Sequence, residues 1–301
     1  MKIIQVVGLG QVCIDYLGRM GRFPEEDEKI ELRDLQMQCG GPAATALVTL
    51  SRLGIRTSFF GSISDDCFGK KILDSLHAEN IETRHLKISQ GFTSQFAFIA
   101  ITGSLAKRSI FWKRSTAPFL LPREIDLREF KSTKVLHLDS LMIEADIEAA
   151  LQAKKMGIKV VLDAGTMRKG INKLLSLVDV IIASEHFVRP IICGDITPEK
   201  SVSALKSLCK GTIIVTLGEK GSIGYFEGET IYQKAYPVKA IDTTGAGDVY
   251  HGAYIYGLLQ GWDIRECMRF ASAVSALKCQ AIGGWDGIPG INEIKRFLEK
   301  Y

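Results

Sequence analysis

The sequence of 301 residues lacks the features that would place it in a membrane or on a nucleic acid. It contains no apolar run of about 18 residues, the length that a membrane-spanning helix needs. It contains no run of five or more lysines and arginines, and its formal net charge is only +4. Residues 3–7 have the pattern of a buried strand, which is too short for the apolar segment of a signal peptide. We therefore expect neither a membrane partner nor a nucleic-acid partner.

The chain also lacks paired cysteines. Its seven cysteines are dispersed, and no two of them form a C-x-x-C pair. An odd number without a regular spacing argues against a framework of disulfide bonds. Free thiols persist in a reducing compartment, so we expect a cytoplasmic protein.

Two common phosphate-binding motifs are missing as well. No G-x-x-x-x-G-K-[ST] string occurs, which excludes a Walker-type P-loop. Gly8-Leu9-Gly10 begins like a dinucleotide-binding fingerprint. However, Cys13 stands where the third glycine is needed, and no helical pattern follows at once. This argues against a nicotinamide-dependent oxidoreductase.

What is present is the pattern of an ordinary globular protein, with 46% apolar and 24% charged residues. Strand patterns alternate with helix patterns along most of the chain, which predicts an α/β fold with a mostly parallel, doubly wound sheet flanked by helices. A chain of this length can form one domain, so we expect a single domain over residues 1–301. Two strand-like insertions, at about 15–38 and 92–114, stand apart from this alternation.

The string D-T-T-G-A-G-D at residues 242–248 organises the rest of the sequence. It follows a predicted strand at 235–240 and opens a predicted helix that ends near Gly261. Residues 245–247 (Gly245, Ala246 and Gly247) are small, so an anion can approach the free amides of a helix start there. Asp248 lies beside this predicted anion hole and could accept a proton from an attacking hydroxyl. The alternative is that Asp248 is an ordinary first-turn aspartate of a helix.

This string resembles the signature of the PfkB, or ribokinase-like, family of carbohydrate kinases. G-G-P-A-A-T at residues 40–45 and T-L-G-E-K-G at residues 216–221 are similar to further motifs of that family. The resemblance implies a ribokinase-like fold in which the segments 15–38 and 92–114 form a small β-sheet lid over the sugar. It also implies ATP and Mg²⁺ as cofactors, phosphoryl transfer to a sugar hydroxyl, and Asp248 as the general base.

The resemblance further implies which residues contact the sugar. Asp15 matches an aspartate that binds sugar hydroxyls near the end of the first strand, and Thr45 stands where many members have asparagine. Asp139 ends a predicted strand, where ligands of open α/β sheets gather. The full set of expected sugar contacts is Asp15, Lys29, Gly40, Gly41, Thr45, Trp112 and Asp139.

The nucleotide and metal sites are implied in the same way. The nucleotide-facing motif supplies Thr216, Gly218, Lys220 and Gly221, and the small residues Ala273 and Ala276 would lie beside adenine unless they pack against the preceding helix. Glu185 is expected to help hold Mg²⁺, because Ser184-Glu185-His186-Phe187 stands where the family usually has N-x-x-E. A monovalent cation, expected to be K⁺, would be held by Asp242, Thr244, Ala281 and Gly283.

The acceptor is open at this stage. The strings at 40–46, 247–253 and 276–279 are most similar to the branch that contains sulfofructose kinase, and Lys29 matches a basic pocket residue there. Trp112 and Leu141 stand where other sulfonate-facing polar groups should be, and a buried anion without donors is costly. We therefore expect a neutral ketose or other furanose-type sugar. The alternatives are a nucleoside acceptor and a non-catalytic regulatory protein, and the lid could pair two chains into a homodimer.

Overall fold

The computed structural model describes residues 3–102 and 107–301. The strands of these residues are β1 Val6–Leu9, β2 Cys13–Met20, β3 Asp34–Gly40, β4 Thr57–Ser64, β5 Leu86–Ser89, β6 Phe96–Thr102, β7 Lys107–Lys113, β8 Val135–Leu138, β9 Lys159–Ala164, β10 Val180–Ser184, β11 Thr212–Thr216, β12 Ser222–Phe226 and β13 Glu229–Gln233. The helices are α1 Pro42–Arg52, α2 Cys67–Ala78, α3 Ile143–Lys155, α4 Ile171–Leu175, α5 Glu185–Val188, α6 Pro198–Lys206, α7 Ala246–Leu259, α8 Ile264–Lys278 and α9 Ile291–Leu298.

The large sheet has nine strands in the order β13-β12-β11-β10-β9-β8-β1-β4-β5. All neighbours from β11 to β5 are parallel, whereas β12 and β13 are antiparallel additions at one edge. The expected doubly wound, mostly parallel sheet is therefore confirmed.

Two apolar layers cover the two faces of this sheet. Successive strand residues alternate between them: Val6 belongs to one layer and Val7 to the other. One layer contains residues of α1, α7 and α8, and the other contains residues of α3, α4 and α6. Because the central strands are buried on both faces, they are almost wholly apolar, as parallel strands usually are. Within the described residues, no helix has the length and apolarity needed to cross a membrane.

Several helix boundaries follow from local chemistry. Pro42 occupies the first turn of α1, where a missing amide hydrogen does no harm. The carboxylate of Asp66 accepts a hydrogen bond from the Gly69 amide at 2.8 Å and so caps α2. Asp263 caps α8 in the same way through the Glu266 amide.

A second sheet of four strands, in the order β3-β2-β6-β7, is built from the two insertions. Its central pair, β2 and β6, is parallel, and the outer pairs are antiparallel. This small sheet confirms the fold expected from the resemblance. The Gly103-Ser104 pair, which predicts a turn between the strand patterns on either side of it, lies outside the described residues.

Two expectations about strands are wrong. Residues 235–240 form no strand: Pro237 cannot donate to a ladder, and the chain beyond it bonds to the end of α8, where the Ile241 amide donates to the Cys279 carbonyl at 2.7 Å. The first strand begins at Val6 and ends at Leu9, rather than covering residues 3–7. Asp15 lies in β2 of the small sheet and not near the end of the first strand.

Candidate active site

The helix α7 begins at a turn that leaves several amides without partners. Gly245 precedes its first residue with a φ of 72°, a conformation that glycine adopts at little cost. The Ala246 amide donates to the Thr243 carbonyl at 3.2 Å, so Ala246 is the weakest member of the expected anion hole. Among the described residues, the amides of Gly245, Gly247 and Asp248 have no acceptor. Such free amides at the start of a long helix favour an anion.

This turn opens onto a cavity of about 320 Å³, which lies between α7 and the small sheet. Small-molecule sites have volumes from about 300 to 1,000 Å³. Of the predicted site residues, the structure brings eight to the lining, namely Asp15, Gly41, Trp112, Thr244, Gly245, Ala246, Gly247 and Asp248. The other lining residues are Gln11, Cys13, Pro42, Gln95, Ala97, Ile99, Arg108 and Ile110.

Asp248 lines this cavity and belongs to the same turn as the free amides. Burial raises the pKa of its half-buried carboxyl from 3.8 to about 6, although the charges of Arg108 and Lys278 act in the opposite direction. A carboxylate of this pKa is ionised at neutral pH and is basic enough to accept a proton in a transition state.

Asp15 lies on the small-sheet side of the same cavity. Burial raises the pKa of its carboxyl to about 6, against a hydrogen bond of 3.2 Å from the Cys13 thiol. Gly40 does not line the cavity, but a Cβ there would lie 2.0 Å from the Asp15 carboxylate. The missing side chain at residue 40 therefore leaves room for Asp15 to keep its position.

Asp139 follows the end of β8, as expected, but its carboxylate is bonded to main-chain amides. Its carboxylate accepts hydrogen bonds from the Gln11 amide at 2.6 Å and the Leu141 amide at 3.1 Å, and it does not line the cavity. Burial raises its pKa to about 6, whereas these amide bonds lower it. Asp139 thus holds the loop that carries Gln11, whose side chain does reach the cavity and donates to Gln95 at 2.5 Å. The sequence reasoning missed Gln11, although it follows β1 at the carboxyl edge of the sheet.

The structure does not bring Lys29 or Thr45 to the cavity. Lys29 is exposed in the loop between β2 and β3. Thr45 is buried inside α1, where its hydroxyl accepts a hydrogen bond of 3.0 Å from the Trp285 indole. The Thr45 side chain is therefore part of the packing between α1 and Trp285 and does not line the cavity.

The expected nucleotide residues lie farther along the same edge of the large sheet. Thr216 ends β11, and a single helical turn, Gly218–Lys220, follows it and leads to Gly221. In α8, Ala276 is half-buried, whereas Ala273 is completely buried. Ala273 therefore packs within the protein, as the alternative for these small residues predicted.

Glu185 follows β10 at this edge and is half-buried at the start of α5. Within the described ranges its carboxylate makes no hydrogen bond or ion pair, and no group of three or more His, Cys, Asp or Glu side chains forms a metal cluster. One free carboxylate fits Mg²⁺, which usually binds through one or two carboxylates, waters and substrate phosphates.

The residues expected to hold K⁺ do not fit a free cation. The Asp242 carboxylate accepts hydrogen bonds from the Thr244 amide and hydroxyl, at 2.9 and 2.7 Å, and from the Gly283 amide, at 2.8 Å. The main-chain carbonyl of Asp242 accepts a hydrogen bond of 3.0 Å from the Lys278 ammonium. A protein cation therefore already lies among the expected ligands.

Two basic residues near the turn were missed in the sequence. Arg108 of β7 lines the cavity and its guanidinium donates to the Thr243 hydroxyl. Its signal was available, because Arg108 and Trp112 are four residues apart in one strand and share a face. Lys278 ends α8 among buried residues, and the string at 276–279 that contains it predicts no binding role for it.

A small sheet over a cavity, free helix-start amides and a basic carboxylate together define a phosphotransferase of the ribokinase-like fold. The model of the pfkB family carbohydrate kinases matches residues 4–289, so the chain belongs to the PfkB family of carbohydrate kinases.

Two curated relatives and one solved structure illustrate the similarity. The chain is 30% identical over 302 residues to a ribokinase of Haemophilus influenzae, with 97% of each chain covered. It is 25% identical to a nucleoside kinase of Methanothermobacter thermautotrophicus, with 98% of this chain and 96% of the relative covered. The structure of an Arabidopsis thaliana ribokinase complexed with ribose and ATP superposes with a TM-score of 0.85, at 26% identity and 99% coverage of both chains.

Proposed function

We propose that the protein transfers the γ-phosphoryl group of ATP to a hydroxyl of a ketose or other furanose-type sugar, with Asp248 as general base. The observation that carries this proposal is the shared cavity of Asp15, Asp248 and the free amides of Gly245, Gly247 and Asp248. An acid beside an anion site is unfavourable unless the reaction uses both.

The roles follow from position. Asp15, with the side-chain amides of Gln11 and Gln95, offers hydrogen-bonding groups to a polyhydroxylated acceptor. Asp248 takes the proton of the attacking hydroxyl, a contribution of about 10²–10⁴-fold. The amides of Gly245, Gly247 and Asp248 stabilise the phosphoryl oxygens during in-line transfer.

The nucleotide would lie along the edge formed by Thr216, Gly218, Lys220, Gly221 and the half-buried Ala276. Glu185 is the carboxylate that would hold Mg²⁺ through water. When bound, this ion neutralises charge on the nucleotide phosphates. Arg108 reaches the anion site from the small sheet and adds a second positive group.

A neutral acceptor suits this cavity. Arg108 already contacts the loop of the anion site, and Lys29, which would have paired with a sulfonate, is exposed outside the lining. The lining therefore offers no separate cation for a second anionic group of the acceptor. A nucleoside is the second candidate, because Trp112 lines the cavity with 54% of its surface exposed and could stack on a base.

The test is a screen for ADP release from Mg-ATP over ketoses, aldoses, sugar phosphates and nucleosides. Asp248→Asn should retain ATP binding and lose at least about 10²-fold in kcat. Asp263→Asn is the matched control, since asparagine caps a helix as well as aspartate and Asp263 lies outside the cavity. Equal activity of Asp248→Asn and the parent would contradict the assignment.

We also propose a reducing, cytoplasmic location and a homodimer. The location rests on seven free cysteines, five of them buried. The dimer rests on apolar side chains left exposed on the small sheet, among them Leu35, Met37 and Phe111.

A further inference from the structure

The ammonium group of Lys278 occupies an unusual position. Lys278 is the last residue of α8, and its side chain has no exposed surface. Lysine is almost never fully buried unless its charge has a partner. Here the Nζ atom donates to the main-chain carbonyl of Asp242 at 3.0 Å. The positive charge of Lys278 thus lies next to the loop that carries the anion site.

The charges of two carboxylates act on this ammonium without forming an ion pair with it in the described residues. Burial lowers the pKa of Lys278, whereas the charges of Asp242 and Asp248 raise it, and Arg108 acts in the same direction as burial. The carboxylates of Asp242 and Asp248 are part of the turn from residue 242 to residue 248. Lys278 thus brings a positive charge from within the chain to the main-chain carbonyl of Asp242.

The oxygens of Asp242 are poorly available to an external cation. K⁺ would need several free oxygens, but the Asp242 carboxylate is used by Thr244 and Gly283, and its carbonyl is used by Lys278. The Ala281 amide is bonded to the Lys278 carbonyl, which ties the following loop to the end of α8. A second positive charge would also be repelled by the ammonium.

We propose that Lys278 is a built-in replacement for the monovalent cation, so that this kinase requires no K⁺. The ammonium holds the Asp242 carbonyl and thereby fixes the turn at residues 242–248. The free amides of this turn would bind the phosphoryl group. This inference rests on the proposed function only where activity is measured.

The first experiment uses the unmodified protein in KCl, NaCl and tetramethylammonium chloride at equal ionic strength. Tm is measured without substrates, and kcat is measured with the acceptor found in the screen. We expect the same Tm in all three salts, and kcat values that agree within about twofold. A K⁺-specific rise in Tm or a K⁺ activation of about tenfold or more would overturn the proposal.

The second experiment removes the charge and keeps the length of the side chain. Lys278→Met should lower kcat by about tenfold or more in tetramethylammonium chloride, because the turn loses its cation. K⁺ should raise the Tm of this variant but not that of the parent. Lys295→Met, an exposed substitution in α9, is the matched control and should behave as the parent does.

Parental activity of Lys278→Met in tetramethylammonium chloride would refute the role of the ammonium. The two proposals fail separately. If no acceptor is phosphorylated, the proposed function is wrong, but the Tm values of the unmodified protein in the three salts still decide whether K⁺ binds. If Lys278→Met does not fold, those same salt comparisons decide the question.

Discussion

At the residue scale, the pKa values of the cavity carboxylates determine how the protein responds to pH. Asp248 and Asp15 both have a pKa of about 6, and burial is the main cause in each case. The ionised form is the one that accepts a proton or a hydroxyl hydrogen bond. Protonation of either group should therefore inactivate the site.

We predict that kcat at saturating substrates falls by about tenfold per pH unit below about 6, as Asp248 becomes protonated. The profile is measured between pH 5 and 8 with ATP and acceptor saturating at every pH. Asp15→Asn is the control, and it should raise the KM for the acceptor while keeping the acid limb of kcat. A flat kcat profile across this range would rule out Asp248 as the base.

The raised pKa of Asp248 also predicts that its carboxylate destabilises the folded chain at neutral pH. A carboxyl whose pKa is raised on folding stabilises the protein fully below the unfolded value of 3.8, and this contribution is lost as the pH rises through about 6. Asp248→Asn should therefore raise the free energy of unfolding at pH 7.5 by about 1–3 kcal/mol, and by little at pH 4. Chemical denaturation at both pH values measures the difference. A loss of stability at pH 7.5 would contradict this prediction.

The individual residues of the site were only partly predictable from the sequence. Asp248 and the amides beside it could be found because they form one continuous string with one local structure. The role of Lys278 could not be found, because it reaches the turn at 242–248 from another element. Arg108 also reaches this turn from another element, and its only signal was the strand face that it shares with Trp112. Thr45 has the expected position in α1, but its hydroxyl is taken by Trp285, a contact across 240 residues that no motif contains.

At the element scale, β3 and β2 of the small sheet fit together because one residue has no side chain. Asp15 pairs with Gln38 in the register of these strands, and Gly40 follows within reach of the Asp15 carboxylate. Strand β3 thus positions the Asp15 carboxylate through a close contact with the backbone of Gly40.

We predict that Gly40→Ala raises the KM for the acceptor by about 10–100-fold, because the new Cβ displaces the Asp15 carboxylate, and displacements of about 1 Å can cost 10²-fold. Steady-state kinetics and circular dichroism separate this effect from unfolding. Gly290→Ala is the matched control, since a Cβ there meets nothing within 4 Å. An unchanged KM in Gly40→Ala would show that Asp15 does not position the acceptor.

Most elements could be predicted because their signals are local. The caps of α2 and α8 are set by Asp66 and Asp263, and the apolar runs of the parallel strands are continuous. The strand expected at 235–240 does not form. Pro237 lacks an amide hydrogen for a ladder, and Tyr236 packs against Phe297 and Tyr301 instead. Tertiary packing decides whether Tyr236 joins a strand or contacts α9 and the C-terminal residue, and a short sequence pattern does not contain that information.

At the scale of the whole molecule, the small sheet presents a large apolar surface to solvent. Leu35, Met37 and Phe111 are exposed by 56%, 43% and 52%, and Phe23 stacks on Phe111 at 6.0 Å between ring centroids. Patches of this kind commonly mark protein–protein contacts.

We predict that light scattering after gel filtration gives twice the chain mass of 33.2 kDa. Phe111→Asp should yield a monomer, since a charge in an apolar interface is costly. Phe226→Asp, at an exposed phenylalanine of β12 in the large sheet, is the control and should remain a dimer. A monomeric parent protein at micromolar concentration would refute the dimer.

The parallel pairing of β2 with β6 has a consequence for the order in which the molecule is assembled. These strands are separated in the chain by β3, α1, β4, α2 and β5, and Asp248 is synthesised long after both. Contacts between distant segments form late, because closing long loops costs entropy before any contact repays it. On the ribosome, the acceptor side of the cavity can therefore be complete while the phosphoryl-transfer side does not yet exist. Asp15, a proposed sugar contact, is thus synthesised well before Asp248, the proposed base.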